Sequence, residues 1–439
     1  MLQALNSGAQ PVTQIAAGIG HSLFLKSDGS LWAMGFNANG QLGDGTLNDT
    51  NRPEQILIAS NVTAIAAGLR HSLFQESNGS LWGVGGNEYG QLGDGNCATY
   101  PNHFGINQPE QIVVSNVIAI SAGGAHSLFV KNDGSLWGMG GNDIGQLGDG
   151  TYNGTNRPER ILVASNVTAM AAGSWHSLFL KSDGSLWGMG YNYQGQLGDG
   201  NFMTKAPHGT DRPEQIVASN VTAIAAGGFH SLFLKTDGSL WGMGDNDYGQ
   251  LGDGTFNNAC RPELIVASNV TAIAGGGYHS VVLKSDGSLW GMGDNEFGEL
   301  GDGTYSNAYA PEMLVPTGVK AIAAGIEHSL FLKSDGSLWG MGDNTSGELG
   351  EGNFIDTNRP VQILGPYNQI SGQLLSGTKV QLSFVGVANK NYALDWSGSL
   401  SPANWIPQLT NPANSIGVLL FTNPPDAATN NFWRIRSVP

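Results

Sequence analysis

The stretch V-T-A-I-A-A-G-G-F-H-S-L-F-L-K-T-D-G-S-L-W-G-M-G-D-N-D-Y-G-Q-L-G-D-G, residues 221–254, decides the fold. It opens on a run of small residues and passes through two short apolar runs, His230–Lys235 and Ser239–Met243. Asp237-Gly238 separates those runs, and Asp-Gly between apolar runs is a strong hairpin signal, because both turn residues tolerate positive φ. A Gly-rich loop follows, then Arg261-Pro262-Glu263. A proline at a strand start sacrifices no ladder hydrogen bond, which suits an outer strand. The small side chains of the Ile-Ala-Ala-Gly run suit a crowded inner strand. Four strands per unit result.

The unit recurs seven times. His-Ser begins at His21, His71, His126, His176, His230, His279 and His328, with spacings of 50, 55, 50, 54, 49 and 49 residues. A strand-rich period near 50 indicates a propeller or a solenoid. No unit has the polar outer face of a solenoid cap. The first unit starts at Val12 without a preceding Arg-Pro strand. The last ends at Arg359–Ile363 without a following Ala-Ala-Gly strand. We therefore expect an all-β fold, a seven-bladed β-propeller closed where these two ends meet, followed by a small C-terminal β module. The expected boundaries are a tail at 1–9, the propeller at 10–365, and a β-sandwich-like module at 366–439. In that module Val380–Val385, Tyr392–Trp396, Val418–Phe421 and Phe432–Ile435 read as strands.

Composition agrees and excludes several functions. The 439 residues include 66 Gly and 11 Trp, and only 12% are charged. Nineteen Lys and Arg stand against 35 Asp and Glu, a net charge of −16. Such a surface repels nucleic-acid phosphates, and no basic stripe offsets it. No apolar run has the length of a membrane span. Met1 to Gln10 lacks the basic start and apolar core of a signal peptide. Cys97 and Cys260 lie in different units and are expected to stay unbonded.

The pattern A-A-G-x-x-H-S-L-F-L-K-S-D-G-S-L-W-G-M-G-x-N-x-x-G-Q-L-G-D-G resembles the repeat of the regulator of chromosome condensation family. The resemblance covers about residues 10–365. It implies a seven-bladed propeller. It leaves function open, because the family includes a nuclear nucleotide-exchange factor, a plant ultraviolet photoreceptor and a secreted bacterial β-lactamase inhibitor protein. The N-Y-A-L-D-W-S and N-F-W-R-I-R segments of the last 74 residues resemble terminal modules of large secreted bacterial proteins. That points to an exported, secreted or cell-surface protein.

Residues repeated in every unit are expected to be scaffold. The seven S-L-W tryptophans (Trp32, Trp82, Trp137, Trp187, Trp241, Trp290, Trp339) should fill inter-blade core. The seven His are expected to satisfy backbone groups at the start of the second strand. A zinc ring is excluded by geometry. Neighbours on a ring of radius roughly 8 Å sit roughly 7 Å apart, whereas zinc needs its ligand atoms within about 3.5 Å of one another. The Asp of G-D-G, replaced by Glu351 in the seventh unit, reads as a loop anchor, and the loop Asn (Asn37 to Asn344) as a turn residue. Asp245-Asn246-Asp247 and Asp294-Asn295-Glu296 offer oxygens to calcium, but without the Gly and bidentate Glu of an EF-hand. No nucleophile elbow, phosphate loop or other cofactor motif is present, so no catalytic residue and no cofactor is assigned.

Two sets of positions vary inside this fixed frame. One precedes each His: Gly20, Arg70, Ala125, Trp175, Phe229, Tyr278, Glu327. The other flanks the loop Asn and includes Tyr191, Tyr193, Asp245, Asp247, Tyr248, Asp294, Glu296 and Phe297. Antiparallel neighbours start and finish at one edge, so both sets should share one face. Aromatic anchors in a polar surround mark a recognition surface. The expected function is a non-catalytic binding propeller that grips a protein or a glycan through an aromatic–acidic face of blades 4–6. The resemblance to the secreted inhibitor points the same way. The alternatives are a polysaccharide-acting enzyme with paired acids such as Asp245 and Glu296, or a nucleotide-exchange-type regulator. The loops after G-D-G, with His103 and His208, are expected at the opposite edge.

Overall fold

The computed structural model describes residues 10–56, 59–97 and 105–365, together with the backbone of six strands between 371 and 438. The expected tail at 1–9 and His103 lie outside the described residues. The described residues form seven four-stranded antiparallel blades, each built from four consecutive strands. Blade 5 comprises Val221–Ala226, His230–Lys235, Leu240–Gly244 and Ala259–Val266. Its middle pair aligns His230 with Gly244 and Phe233 with Trp241.

The Asp-Gly hairpin differs from the expected two-residue form. Gly238 takes φ +75 but Asp237 does not have positive φ. Gly238 N–H donates to the Lys235 carbonyl, and Lys235 N–H to the Ser239 carbonyl. This is a three-residue loop with one left-handed glycine. Asp237 contributes its side chain instead: Oδ1 accepts from Ser239 N–H at 2.9 Å. The local strain thus falls on the one residue that lacks a Cβ.

The inner strands, such as Val221–Ala226, line a narrow central channel of about 90 Å³ through their Ala and Gly residues. Side-chain size is limiting there: a Cβ on Gly227 would stand 2.6 Å from the Gly276 carbonyl of the next blade. The outer strands carry the Arg-Pro-Glu segments. Between blades the core is apolar. Leu178, Leu180 and Leu186 of blade 4 pack with Phe233, Met243 and Trp241 of blade 5. Trp241 lies parallel to Phe233, with 6.2 Å between centroids, and Lys235 Nζ caps the indole at 3.9 Å. The tryptophans therefore serve the inter-blade core as expected.

The histidines do something other than satisfy backbone. All seven rings are fully buried, and each Nε2 meets the Ser Oγ of the next blade at 2.8–3.0 Å. Six of those serines donate their single proton to a main-chain carbonyl of the Gln or Glu in G-[QE]-L-G. The hydroxyl must then accept from the imidazole. This fixes the Nε2–H tautomer and leaves Nδ1 without a partner in all seven rings. The expectation failed because a repeat places His within its own blade but says nothing of what the neighbouring blade presents to it.

Closure uses the same contacts. His328 Nε2 meets Ser22 Oγ at 2.9 Å, Ile326 N–H donates to the Gly18 carbonyl at 3.0 Å, and Gly352 N–H to the Asn51 carbonyl at 2.8 Å. The two chain ends do not share a blade. Val12–Ala17 is the inner strand of blade 1 and Thr357–Leu364 the outer strand of blade 7. Blade 7 therefore meets blade 1 as any blade meets the next.

Among the described residues the C-terminal segment shows six strands in two three-stranded antiparallel sheets. Val380–Val385 lies between Ser371–Leu374 and Val418–Asn423, and Asn391–Ser397 between Ile406–Pro412 and Phe432–Val438.

Candidate functional site

One backbone hydrogen bond per blade joins the two variable sets. The carbonyl of the residue before His accepts from the N–H of the residue that follows the third-strand glycine. The donor–acceptor pairs are Tyr191–Trp175, Asp245–Phe229, Asp294–Tyr278 and Asp343–Glu327 in blades 4 to 7, and Phe36–Gly20, Gly86–Arg70 and Gly141–Ala125 in blades 1 to 3, at 2.6–3.0 Å. Every variable pair thus stands at one edge, on adjoining strands.

In blades 4 to 6 these side chains join. Tyr193 stacks on Tyr191 at 6.2 Å, and Tyr191 meets Phe229 edge-on at 5.8 Å. Phe229 meets Tyr278 at 6.0 Å, and Tyr278 meets Tyr248 at 5.0 Å. Five rings from three blades form one continuous row. Tyr193 and Tyr248 are the most exposed, at 41% and 37%, and the rest are half-buried. Trp175 and Phe297 are half-buried at the same edge but make no ring contact with the row. Arg70 is remote from it on blade 2, 3.9 Å from Glu88.

His208 also touches the row, edge-on to Tyr193 at 5.5 Å. This corrects the expectation that the loops after G-D-G lie at the opposite edge. The loop leaves the third strand of blade 4 and returns to an outer strand whose first residue, Gly209, pairs with Tyr191. A connection between antiparallel neighbours must end at the edge where it began.

The acids are less accessible than their loop positions suggest. Asp247 and Glu296 are exposed and Glu327 is half-buried, but Asp245 and Asp294 are 3% and 8% exposed. Burial pushes Asp245 up to about 6 and raises Asp294. Burial also raises Glu327, reinforced by Asp343, Asp294, Glu296 and Asp356. Tyr278 is raised by burial and by the nearby charges of Asp245, Asp294 and Glu327. The aromatic row and the acids are therefore neighbours across blades 5 to 7.

Two acids of this sector were missed in the sequence. Glu299 and Glu348 replace, in units 6 and 7, the Gln of G-Q-L-G. Both are 1% exposed. Burial, with Asp294 and Glu327 nearby, pushes Glu299 up to about 8; burial and Asp343 push Glu348 up to about 7. The signal was present as a change of two letters inside a motif otherwise assigned to scaffold. The other repeated positions behave as loop anchors. Asn246 Nδ2 donates to Asp253, and its Oδ1 accepts from Leu251 N–H. Glu351 takes the place of that Asp on blade 7, accepting from Asn344 at 3.3 Å.

Among the described residues no group of three His, Cys, Asp or Glu side chains is arranged to hold a metal ion. Asp245 Oδ1 is instead occupied by the Asp247 N–H of its own turn. Cys97 and Cys260 are both free thiols.

A closed ring of seven four-stranded blades, each with an inter-blade His–Ser bond and six of them with a Trp under a Lys, defines a repeat propeller with one variable edge. A family model described as the RCC1-like domain matches residues 2–216 and 107–386, and the chain belongs to that family. The human E3 ubiquitin-protein ligase HERC2 is 30% identical over 147 residues, 32% of this chain but 3% of that protein. The chain thus matches only a small part of that relative's length. Among solved structures, human WBSCR16 superposes with a TM-score of 0.67 at 24% identity, covering 78% of this chain and 96% of that one. Yeast RCC1 (Prp20), solved with Kap60 bound, gives 0.68 at 22% identity, covering 83% and 87%. A further structure of Prp20p from Saccharomyces cerevisiae, described with its binding to Gsp1p and histones, gives 0.66 at 22% identity, covering 83% and 88%.

Proposed function

We propose that this chain is a non-catalytic binding propeller that recognises a protein through the aromatic–acidic edge of blades 4 to 6. The observation that carries the reading is the five-ring row from Tyr193 to Tyr248, assembled from three blades beside partly buried acids. The scaffold does not require those rings: the equivalent positions elsewhere hold Gly20, Ala125, Gly86 and Gly141. Aromatic side chains give large contact area at low entropic cost, which is why they anchor protein interfaces. Two structures of a propeller of this fold are described with protein partners, Kap60 in one and Gsp1p and histones in the other, and this supports the reading. The test is capture of partners from the native source by wild-type chain and by the Phe229→Ala/Tyr278→Ala variant. Loss of a captured protein at unchanged melting temperature supports the reading. Equal capture by both sinks it, and selective binding in a glycan panel replaces the protein with a sugar. Export from a bacterial cell is a further part of the proposal, resting on the likeness of the C-terminal segment to modules of secreted proteins. Fractionation of the source organism decides it.

A further inference from the structure

The repeat supplies its own control for the grooves between neighbouring blades. Two residues past the last glycine of G-D-G, five units carry a ring (Tyr152, Phe202, Phe256, Tyr305 and, after G-E-G, Phe354), and the first unit carries Leu47. This side chain reaches the next blade. Phe256 of blade 5 meets Tyr309 of blade 6 at 5.6 Å, and the Tyr152 hydroxyl of blade 3 donates to the Gly209 carbonyl of blade 4 at 3.2 Å. Blade 2 has a small residue at the position, Cys97. Blade 3 has Asn156 where blade 6 has Tyr309: Gly95 N–H donates to the Asn156 carbonyl as Gly254 N–H donates to that of Tyr309.

A second side chain is missing at the same boundary. The residue twelve after the loop Asn caps that Asn's N–H through a side-chain oxygen in blades 1, 5, 6 and 7, from Asp49, Asn258, Asn307 and Asp356 at 2.6–3.0 Å. In blade 3 it is Gly154. The frame gives up a cap there and gains room. Cys97 and Gly154 both line a cavity of about 570 Å³ between blades 2 and 3, a size that holds small ligands.

The rest of the wall is polar, with one ring. Tyr89 is 48% exposed on it. Of its three carboxylates, Asp149 accepts from Asn142 and Thr151, Glu88 lies 3.9 Å from Arg70, and Glu159 is exposed. Such a wall repels anions. With two of the three acids engaged, it holds little charge for a cation. Asn156 Nδ2 donates to the Gly95 carbonyl at 2.9 Å, which leaves its Oδ1 as an acceptor, and Asn153 adds an amide donor. Hydroxyl groups both donate and accept, so they match this mixture. The negative face of an aromatic ring attracts the polarised C–H bonds of a sugar.

We propose that this groove is a saccharide site, which seats one neutral pyranose over Tyr89 with its hydroxyls on Glu159, Asn153 and Asn156. The site lies on blades 2 and 3, apart from the aromatic row of blades 4 to 6 and the protein proposed for it.

The experiment uses Cys97 as a reporter inside the groove. Iodoacetamide alkylation of the full chain is followed by mass spectrometry, with the half-buried thiol of Cys260 as internal reference. The probes are the methyl glycosides of glucose, galactose, mannose and N-acetylglucosamine; glycerol, N-acetylneuraminic acid and lysine methyl ester are controls. At least one neutral glycoside is expected to slow alkylation of Cys97 but not of Cys260, saturating at millimolar concentration. Tyr89→Ala should weaken that protection about tenfold. Cys97→Phe installs the residue that blades 4, 5 and 7 carry, and should abolish glycoside signals in saturation-transfer NMR at unchanged melting temperature. Protection by no glycoside, equal protection by glycerol, stronger protection by a charged control, or glycoside binding that survives Cys97→Phe overturns the inference. Phe229→Ala/Tyr278→Ala separates it from the protein reading. Glycoside binding that this variant retains belongs to the groove and leaves the protein reading untouched. Glycoside binding that it removes overturns the groove and moves the sugar to the row.

Discussion

Acid should unfold this ring near pH 5, and the seven histidines set that figure. Each imidazole gives its Nε2 proton to a serine of the next blade, and its Nδ1 faces no acceptor. A second proton would be buried without a partner. Burial therefore lowers His21, His126, His176 and His279 to about 3, and His71, His230 and His328 to about 4, from an ordinary 6.5. The folded values lie below the unfolded ones, so the unfolded chain binds more protons as pH falls. The stability held by neutral histidines is complete above pH 6.5 and is lost below it. At pH 5 each ring costs about 2 kcal/mol, and the seven together about 14 kcal/mol. Glu299 and Glu348 act in the opposite sense. Their folded values, about 8 and about 7, exceed the unfolded 4.5, so their protonation returns about 6 kcal/mol between pH 8 and pH 5. The net loss, about 8 kcal/mol, falls within the 5–15 kcal/mol that stabilises an ordinary domain. Circular dichroism and tryptophan fluorescence should show one cooperative transition near pH 5, and potentiometry a net uptake of about five protons across it. A chain that keeps its native signals at pH 4, or takes up fewer than about two protons on unfolding, would refute the buried neutral ring.

Three further expectations follow from the same contacts. Glu299→Gln should stabilise the chain at pH 8 by about 2–3 kcal/mol, the relieved carboxylate less the cost of an unpartnered amide N–H₂. The gain should vanish at pH 5, and a pH-independent difference in melting temperature would contradict the burial of this acid. Ser22→Ala and Ser231→Ala each strand a buried histidine N–H at about 1–3 kcal/mol; urea melts should give equal losses, since closure uses the same bond as the interior of the ring, and a negligible loss for Ser22→Ala would mean that blades 7 and 1 do not meet. Phe233→Ala, which empties a fully buried site, should cost about 3–5 kcal/mol, whereas Tyr193→Ala at the exposed end of the row should cost less than about 1 kcal/mol.

What a repeat reveals is order within one blade. The 50-residue period, the Asp-Gly hairpins and the small inner strands fixed the number of blades, their strand order and the edge that carries Trp175, Phe229, Tyr278 and their partners. What lies between blades was harder to read. The His230–Ser280 bond spans two copies of the unit, and its geometry depends on how closely the ring brings them together. The return of the 202–208 loop to the site edge follows from antiparallel pairing, yet its contact with Tyr193 depends on loop shape. Glu299 and Glu348 escaped for a different reason. The Gln they replace looks like scaffold because its Oε1 holds the turn, a bond that a carboxylate oxygen makes equally well, and only the buried environment reveals what the added acid costs.

The central claim is that the odd residues among seven near-copies do the gripping. Hydrogen-exchange mass spectrometry of the chain, free and with its captured partner, tests it most directly. We predict new protection concentrated in residues 174–194, 227–249 and 276–299. Protection confined to the Asp-Gly hairpins at the other edge, or to blades 1 to 3, would contradict it.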